Sequence, residues 1–196
     1  MDNAQSTPMV TGLANTERRY GAVAIAFHGL MALLLVFLSA LGIYMASLPD
    51  VGFDTKKIAL ILYHKQFGMF ALIVAVLRLA WRVGNALPQL VETLPDWQKL
   101  TARFVHLCFY GLMLALPITG WLLSSAAGFT VSLFGWFDLP DLVPFSDHLF
   151  HTFVDVHKWL GYALIALILI HAVAALSHHL LSRDETLKRM MPEACS

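Results

Sequence analysis

Histidine is the residue type with the clearest capacity for chemistry in this sequence. The chain has 196 residues and nine histidines, and four of the histidines stand in related contexts: His28, His64, His157 and His171. The segments that begin at His64 and His157 are near copies, His-Lys-Gln-Phe-Gly and His-Lys-Trp-Leu-Gly. His157 and His171 are 14 residues apart, so on a helix both imidazoles share one face and lie about 21 Å apart. Imidazole is an acid–base group and the commonest metal ligand in proteins.

The composition indicates that these histidines lie in a membrane. Hydrophobic residues make up 58% of the chain, charged residues 13%, and the mean hydropathy is +0.68. A soluble domain is nearer half apolar and about a quarter charged. The 13 Lys and Arg balance the 13 Asp and Glu, which excludes a strongly basic nucleic-acid-binding protein and an acidic disordered chain. Two cysteines, Cys108 and Cys195, exclude a disulfide scaffold and a four-cysteine metal site.

Four apolar stretches predict four transmembrane helices. They cover about 20–46, 58–83, 104–127 and 156–181, and a bilayer core of about 30 Å needs roughly 20 helical residues. A soluble bundle of four buried helices is the alternative, but its helices would keep a polar outer face, which the first and third stretches lack. The predicted fold is an all-α integral membrane four-helix bundle over 18–192, between a flexible tail at 1–17 and a short tail at 193–196.

Basic residues predict the orientation of this bundle. The side that holds both termini and the loop between the second and third stretches carries nine Lys and Arg, whereas the other side carries four. Because cytoplasmic loops carry the excess of Lys and Arg, both termini are predicted to be cytoplasmic. The outer loop at about 128–155 is aromatic and is interrupted by Pro140 and Pro144. We expect this loop to cap the bundle along the membrane surface.

The predicted spans place the four histidines in two layers. His28 lies about 12 Å inside the first span and shares its depth with His171, whereas His64 and His157 lie near the outer ends of their spans. Paired imidazoles on facing helices indicate bis-histidine ligation of haem iron. A small residue follows each histidine by four positions and leaves room for a porphyrin: Ala32, Gly68, Gly161 and Ala175. The sequence therefore predicts two haems stacked between the membrane faces.

Roles besides haem ligation stay open for these histidines. A single intramembrane histidine can hydrogen-bond to a neighbouring helix, although ionisable residues in membranes are costly and usually functional. A zinc ion would find too few ligands in each layer, and covalent c-type haem is excluded because the chain has no Cys-x-x-Cys-His motif. A transporter or scaffold without haem is a further alternative, and it leaves the matched depths unexplained.

Further polar residues lie near the two predicted layers. Arg78 is a candidate contact for the inner haem propionates, and Lys65 and Lys158 are candidates for outer propionates or for attracting an anion. Snorkelling membrane anchors are the alternative for these basic residues. His106 is a candidate hydrogen-bond partner of a propionate or a quinone. The remaining histidines are expected at the membrane interface or in solvent: His148, His151, His178 and His179.

The chain resembles the bacterial cytochrome b561 family of small four-helix di-haem membrane cytochromes. The resemblance covers about 18–192, and the matching motifs lie at 25–28, 63–68, 115–121, 157–162, 169–179 and 184–192. The axial ligands of the family fall on the four histidines that the depth argument selects. The tail at 1–15 is longer than is usual in the family.

The resemblance implies what such a protein does. It implies two non-covalent haems b in the bacterial inner membrane, held by His28, His64, His157 and His171. It also implies an electron-transfer oxidoreductase with ubiquinone as its usual partner, and it suggests superoxide as the periplasmic donor. Related chains serve instead as cytochrome subunits that relay electrons from a partner hydrogenase or dehydrogenase. If imidazoles fill both axial positions of each iron, the chemistry is outer-sphere electron transfer.

Overall fold

Four long helices dominate the protein. The computed structural model describes residues 12–17, 19–49, 54–89, 95–182 and 188–190. Each of the four helices is long and apolar enough to cross a membrane, as the sequence predicts. They are α1 (Ala22–Ser47), α2 (Thr55–Gly84), α3 (Asp96–Ala126) and α4 (Asp147–Ser177), and a π-helical turn, His178–Ser182, extends α4.

Two helices begin earlier than the apolar stretches predict. α3 begins at Asp96, next to Pro95, and α4 begins at Asp147, where the Ser146 hydroxyl accepts a hydrogen bond from the Leu149 amide at 3.3 Å. The last nine residues of the expected outer loop, 147–155, are therefore helical. The first turns of these helices are polar, so they do not belong to an apolar stretch. An apolar stretch therefore predicts the membrane-spanning part of a helix but not the residue at which the helix begins.

The helices pack in chain order and leave one side of the bundle open. Among the described residues, α1 packs against α2, α2 against α3 and α3 against α4, whereas α4 makes no comparable contact with α1 or α2. The buried core accordingly lies among the first three helices, at Met31, Leu34, Ala71, Val74, Ala75 and Met113. A seam therefore runs between α4 on one side and α1 and α2 on the other.

A short β-hairpin follows α3. Strands β1 (Val131–Leu133) and β2 (Phe137–Leu139) pair antiparallel. Phe134 and Gly135 form the turn with φ values of 53° and 75°, and positive φ at both central positions is typical of a type I′ turn. The Phe134 ring packs edge-on against Phe67 and Phe70 of α2, at centroid distances of 5.5 and 6.5 Å. The hairpin thus covers part of the bundle, within the segment expected to form a cap.

Part of the predicted N-terminal tail is attached to the bundle. The Asn15 side chain donates to the Ala86 carbonyl at 2.9 Å and accepts from the Gly21 amide at 3.0 Å. The Gln89 amide donates to the Glu17 carbonyl at 3.0 Å. Residues 12–17 are therefore held against the end of α2, while the rest of the predicted tails, 1–11 and 193–196, lies outside the described residues.

Candidate functional site

The structure brings the four selected histidines together as two pairs. The imidazoles of His28 and His171 have centroids 6.3 Å apart and ring planes at 67°. Those of His64 and His157 have centroids 6.1 Å apart and ring planes at 78°. Each pair joins α4 to another helix, His171 to α1 and His157 to α2. Both pairs therefore bridge the open seam of the bundle.

The distance within each pair fits one metal ion between two imidazoles. A metal–imidazole nitrogen bond is about 2.0–2.1 Å, and the ring centroid lies about 1.1 Å behind the nitrogen. Two such ligands on opposite sides of an iron ion place their centroids roughly 6.3 Å apart. Among the described residues α4 does not pack directly against α1 or α2, so no close helix–helix contact joins the two sides of the seam. These residues fit two haems with bis-histidine ligation.

Two glycines on neighbouring helices make room for the rings of the His64–His157 pair. A Cβ atom added at Gly42 of α1 would lie 3.3 Å from Cε1 of His64, and one at Gly120 of α3 would lie 3.3 Å from Cε1 of His157. Such contacts are closer than most Cβ atoms make. By contrast, a Cβ at Gly68 or Gly161 would meet nothing within 4 Å. These last two glycines therefore border open space, as expected for a surface that faces a porphyrin.

The Nδ1 atoms of the His64–His157 pair have different surroundings. Nδ1 of His157 lies 3.0 Å from Oγ1 of Thr119, whose hydroxyl donates to the Leu116 carbonyl at 2.9 Å. Nδ1 of His64 is buried and has no hydrogen-bond partner. One ring of this pair is therefore oriented by a polar partner, and the other is held by packing.

A guanidinium group lies beside the His28–His171 pair. An Nη atom of Arg78 lies 3.0 Å from Nδ1 of His28. Because a guanidinium can only donate, Nδ1 of His28 is the acceptor, and the proton of the neutral ring is on Nε2. Ligation of iron through Nε2 would need the opposite tautomer, in which Nδ1 of His28 carries the proton.

Aromatic rings surround His171 of the same pair. His106 and Phe109 of α3 pack edge-on against its imidazole, with centroid distances of 5.9 and 5.3 Å. The structure therefore places His106, expected near a propionate or a quinone, against a proposed ligand.

Arg78 and Arg82 both lie over the face of Tyr110, at 5.7 and 5.4 Å from its centroid.

The two predicted lysines differ in their partners. Lys158 donates to the carboxylate of Asp155 at 2.9 Å, and both side chains are exposed. Lys65 lies over the Phe129 ring at 5.4 Å, and it forms no ion pair within the described part of the chain. Within those residues, the charge of Lys65 next to His64 is therefore uncompensated.

Sequence reasoning missed three residues that contact the candidate ligands: Gly42, Phe109 and Thr119. Gly42 and Thr119 lie on helices other than those of the histidines they touch. Gly120 of α3, next to Thr119, also supports the ring of His157 in the structure. A small residue at the same membrane depth on a neighbouring helix indicates such a contact only weakly. Whether it faces the histidine depends on how its helix is rotated about its axis, and packing between the helices sets that rotation.

Comparison with known proteins identifies the family. A sequence model described as "Prokaryotic cytochrome b561" matches residues 19–193. The chain is 35% identical over 183 residues to "Cytochrome b561 homolog 2" of Escherichia coli (strain K12), covering 93% of this chain and 96% of the relative. It is 35% identical to "Cytochrome b561 homolog 1" of the same organism over 132 residues, 66% of this chain and 73% of the relative.

A more distant relative carries a name with a stated activity. The chain is 27% identical over 179 residues to the "Probable superoxide oxidase CybB" of Yersinia pestis, covering 90% of this chain and 98% of the relative. The family match spans all four helices and both histidine pairs. The chain therefore belongs to the prokaryotic cytochrome b561 family of multi-pass membrane proteins, which bind haem b and transfer electrons.

Proposed function

We propose that this protein is a di-haem cytochrome that transfers electrons from superoxide at the periplasmic face to quinone in the membrane. The observation that carries the proposal is the presence of two imidazole pairs, with centroids 6.3 and 6.1 Å apart, across one open seam. His28 and His171 would hold one haem b, and His64 and His157 the other. When bound, the haem irons supply the one-electron redox chemistry that no side chain of the protein provides.

The arrangement of the ligands supports electron transfer rather than oxygen activation. Each pair offers two imidazoles, and a haem iron held by both would have no position left for a substrate. The two ligands on α4 are 14 residues apart, or about 21 Å along the helix. This spacing distributes the two sites across the bilayer, so the seam connects its two faces.

The surroundings of His64 and His157 support an anionic electron donor at that end. Superoxide is a small anion, and an uncompensated cation beside the site raises its encounter rate. Lys65 follows His64 directly and has no acidic partner within the described residues, whereas Lys158 is paired with Asp155. We therefore assign the main attraction for the anion to Lys65. The name of the Yersinia pestis relative supports superoxide as the donor.

The electron balance of the proposed reaction needs a two-electron acceptor. Two superoxide ions each lose one electron and leave as oxygen, and the two electrons with two protons reduce one quinone to quinol. His106 is our candidate contact for a quinone or a propionate, because its ring packs against His171 at 5.9 Å. The excess of basic residues on the side of the termini supports an orientation in the inner membrane with both termini cytoplasmic.

Haem content and superoxide oxidation together test the proposal. Protein purified in detergent should give two b-type haems per chain in a pyridine haemochrome assay. Superoxide should reduce these haems, and added ubiquinone should reoxidise them. His157→Ala should lose one haem and the superoxide response, whereas His151→Ala, an exposed histidine six residues earlier on α4, should retain both.

Different failures of this experiment reject different parts of the proposal. Protein that has no Soret absorbance after expression with sufficient haem would reject the cytochrome itself. Haem-loaded protein that superoxide does not reduce would reject that donor. Copurification with a dehydrogenase or hydrogenase that reduces the haems would instead identify the chain as a cytochrome subunit of a larger enzyme.

A further inference from the structure

The ring of His157 rests on a small polar patch of α3. Oγ1 of Thr119 lies 3.0 Å from Nδ1 of His157. The neighbouring Gly120 would place a Cβ atom 3.6 Å from the same Nδ1 and 3.3 Å from Cε1. Thr119 therefore meets the ring edge with its hydroxyl, and Gly120 lets that edge approach the helix.

The direction of each hydrogen bond in this patch follows from the partners. The Thr119 hydroxyl has a single proton, which it donates to the Leu116 carbonyl at 2.9 Å. Its oxygen and the Leu116 carbonyl, which also hydrogen-bonds with the His157 ring, can then only accept from that ring, so Nδ1 of His157 carries the proton. In the neutral imidazole this leaves the lone pair on Nε2. The threonine thus selects the tautomer in which Nε2 is free to bind a metal ion.

None of the other three proposed ligands has such an arrangement in the described structure. Nδ1 of His64 is buried without a partner. Nδ1 of His28 faces the guanidinium of Arg78, which cannot accept a proton. The contacts of His171 are the aromatic rings of His106 and Phe109. Of the four histidines, His157 is the one whose Nδ1–H has a hydroxyl acceptor.

We propose that Thr119 is a positioning residue that fixes the tautomer of His157 and tunes the reduction potential of the haem held by the His64–His157 pair. This inference rests on the proposed haem ligation and adds a specific residue to it. An acceptor for Nδ1–H makes the imidazole a stronger electron donor through Nε2. A stronger donor stabilises ferric iron more than ferrous iron, so Thr119 holds the potential of this haem down.

Removal of the hydroxyl should therefore favour the ferrous state. Thr119→Val keeps the volume of the side chain and removes the hydroxyl acceptor, which leaves the Leu116 carbonyl beside the ring. We expect the equilibrium constant for reduction of this haem to rise about three- to tenfold, the effect of one net hydrogen bond. A tenfold change corresponds to about +59 mV for a one-electron couple. Thr119→Ser keeps the hydroxyl and should restore the original potential.

The experiment is a redox titration of the detergent-purified full chain, followed by optical and EPR spectroscopy. The titration of both haems in Thr119→Val should show one shifted midpoint and one unchanged midpoint. Repeating it in a His171→Ala background, which should retain only the His64–His157 haem, assigns the shifted midpoint to that haem. The ferric EPR signal of the same haem should also shift, because the orientation of the axial ring changes.

A second threonine on α4 supplies the matched control. The Thr152 hydroxyl also donates to a carbonyl of its own helix, that of His148, at 2.9 Å, but its side chain is exposed and contacts no proposed ligand. Thr152→Val should leave both midpoints unchanged. If Thr119→Val is not produced as folded protein, Thr119→Ala can replace it. Comparing the midpoints of Thr119→Ala and Thr119→Ser again tests the effect of the hydroxyl.

The outcomes separate this inference from the proposed ligation. If His157→Ala loses one haem but both midpoints and EPR signals of Thr119→Val equal those of the unmodified protein, the ligation stands and the role of Thr119 is rejected. If His157→Ala keeps two haems with unchanged spectra, the ligation is wrong and the role of Thr119 falls with it. A shifted midpoint that Thr119→Ser restores supports both.

Discussion

The two histidine pairs have almost the same spacing and very different surroundings. The His64–His157 pair lies against glycines of α1 and α3, and one of its rings donates to a neutral hydroxyl. The His28–His171 pair lies against a guanidinium and two aromatic rings. The Thr119 contact favours the tautomer of His157 that would bind a metal ion through Nε2, whereas the Arg78 contact favours the opposite tautomer of His28. Two sites that each offer a pair of histidines can therefore differ in how readily they bind haem and in the reduction potential of that haem.

Loss of one α4 ligand at a time tests whether the two pairs are independent sites. If the proposed ligation is right, His157→Ala and His171→Ala should each reduce the haem content from two per chain to one, because each variant removes the only ligand that α4 supplies to that pair. Pyridine haemochrome analysis measures the content, and redox titration shows which midpoint remains. Loss of both haems from either variant would contradict independence.

Removal of the guanidinium should move the potential of the other site in the opposite direction from Thr119→Val. Arg78→Gln deletes a positive charge beside His28, and a cation near iron favours the ferrous state. We expect the equilibrium constant for reduction of the His28–His171 haem to fall about tenfold, as a charge within about 4–6 Å shifts an ionisation equilibrium by one unit or more.

Arg78→Lys is the control for this variant, because it keeps the charge and should retain most of the potential. Both variants are measured by redox titration of the purified protein. An unchanged midpoint in Arg78→Gln would show that Arg78 does not act on the iron electrostatically.

The distinction between the pairs could be predicted only in part from the sequence. The 14-residue spacing on α4 and the depths of His28 and His64 predict which histidines meet, because helical rise and rotation are nearly constant. The contacts of Thr119 and Gly42 depend on how α3 and α1 are rotated against their neighbours. No periodicity within one helix specifies that rotation, so these contacts emerge only from packing.

The two glycines that lie against the ligand rings should affect haem binding at the His64–His157 pair only. Gly42→Ala or Gly120→Ala adds a Cβ atom 3.3 Å from a ligand ring, which has to move by a few tenths of an ångström. We expect a several-fold loss of haem affinity, somewhat below the roughly 10–100-fold that supporting residues around metal ligands contribute. Haem titration of the apoprotein measures this loss.

Gly111→Ala is the matched control on α3, because its Cβ would meet nothing within 4 Å. This variant should bind both haems normally. The His28–His171 haem should also be unaffected by the Gly42 and Gly120 variants, and weaker binding there would show that the two sites are mechanically coupled.

The smallest effect should come from the lysines, which flank only the His64–His157 pair. Lys65→Gln should slow reduction by superoxide about two- to threefold at low ionic strength, and added salt should remove the difference. Lys158→Gln should change the rate less, because Asp155 already neutralises Lys158 at 2.9 Å. Stopped-flow absorbance measures both rates, and equal effects of the two variants would contradict the assignment of the anion site to Lys65.

The open seam has a consequence for how the bundle holds together. α4 packs directly on α3, and within the described residues it makes no comparable contact with α1 or α2. If haems bind as proposed, both histidine pairs would attach α4 to the first two helices through the cofactor. A ligand that binds only the folded state stabilises that state, so we expect the stability of the whole bundle to rise with each haem bound.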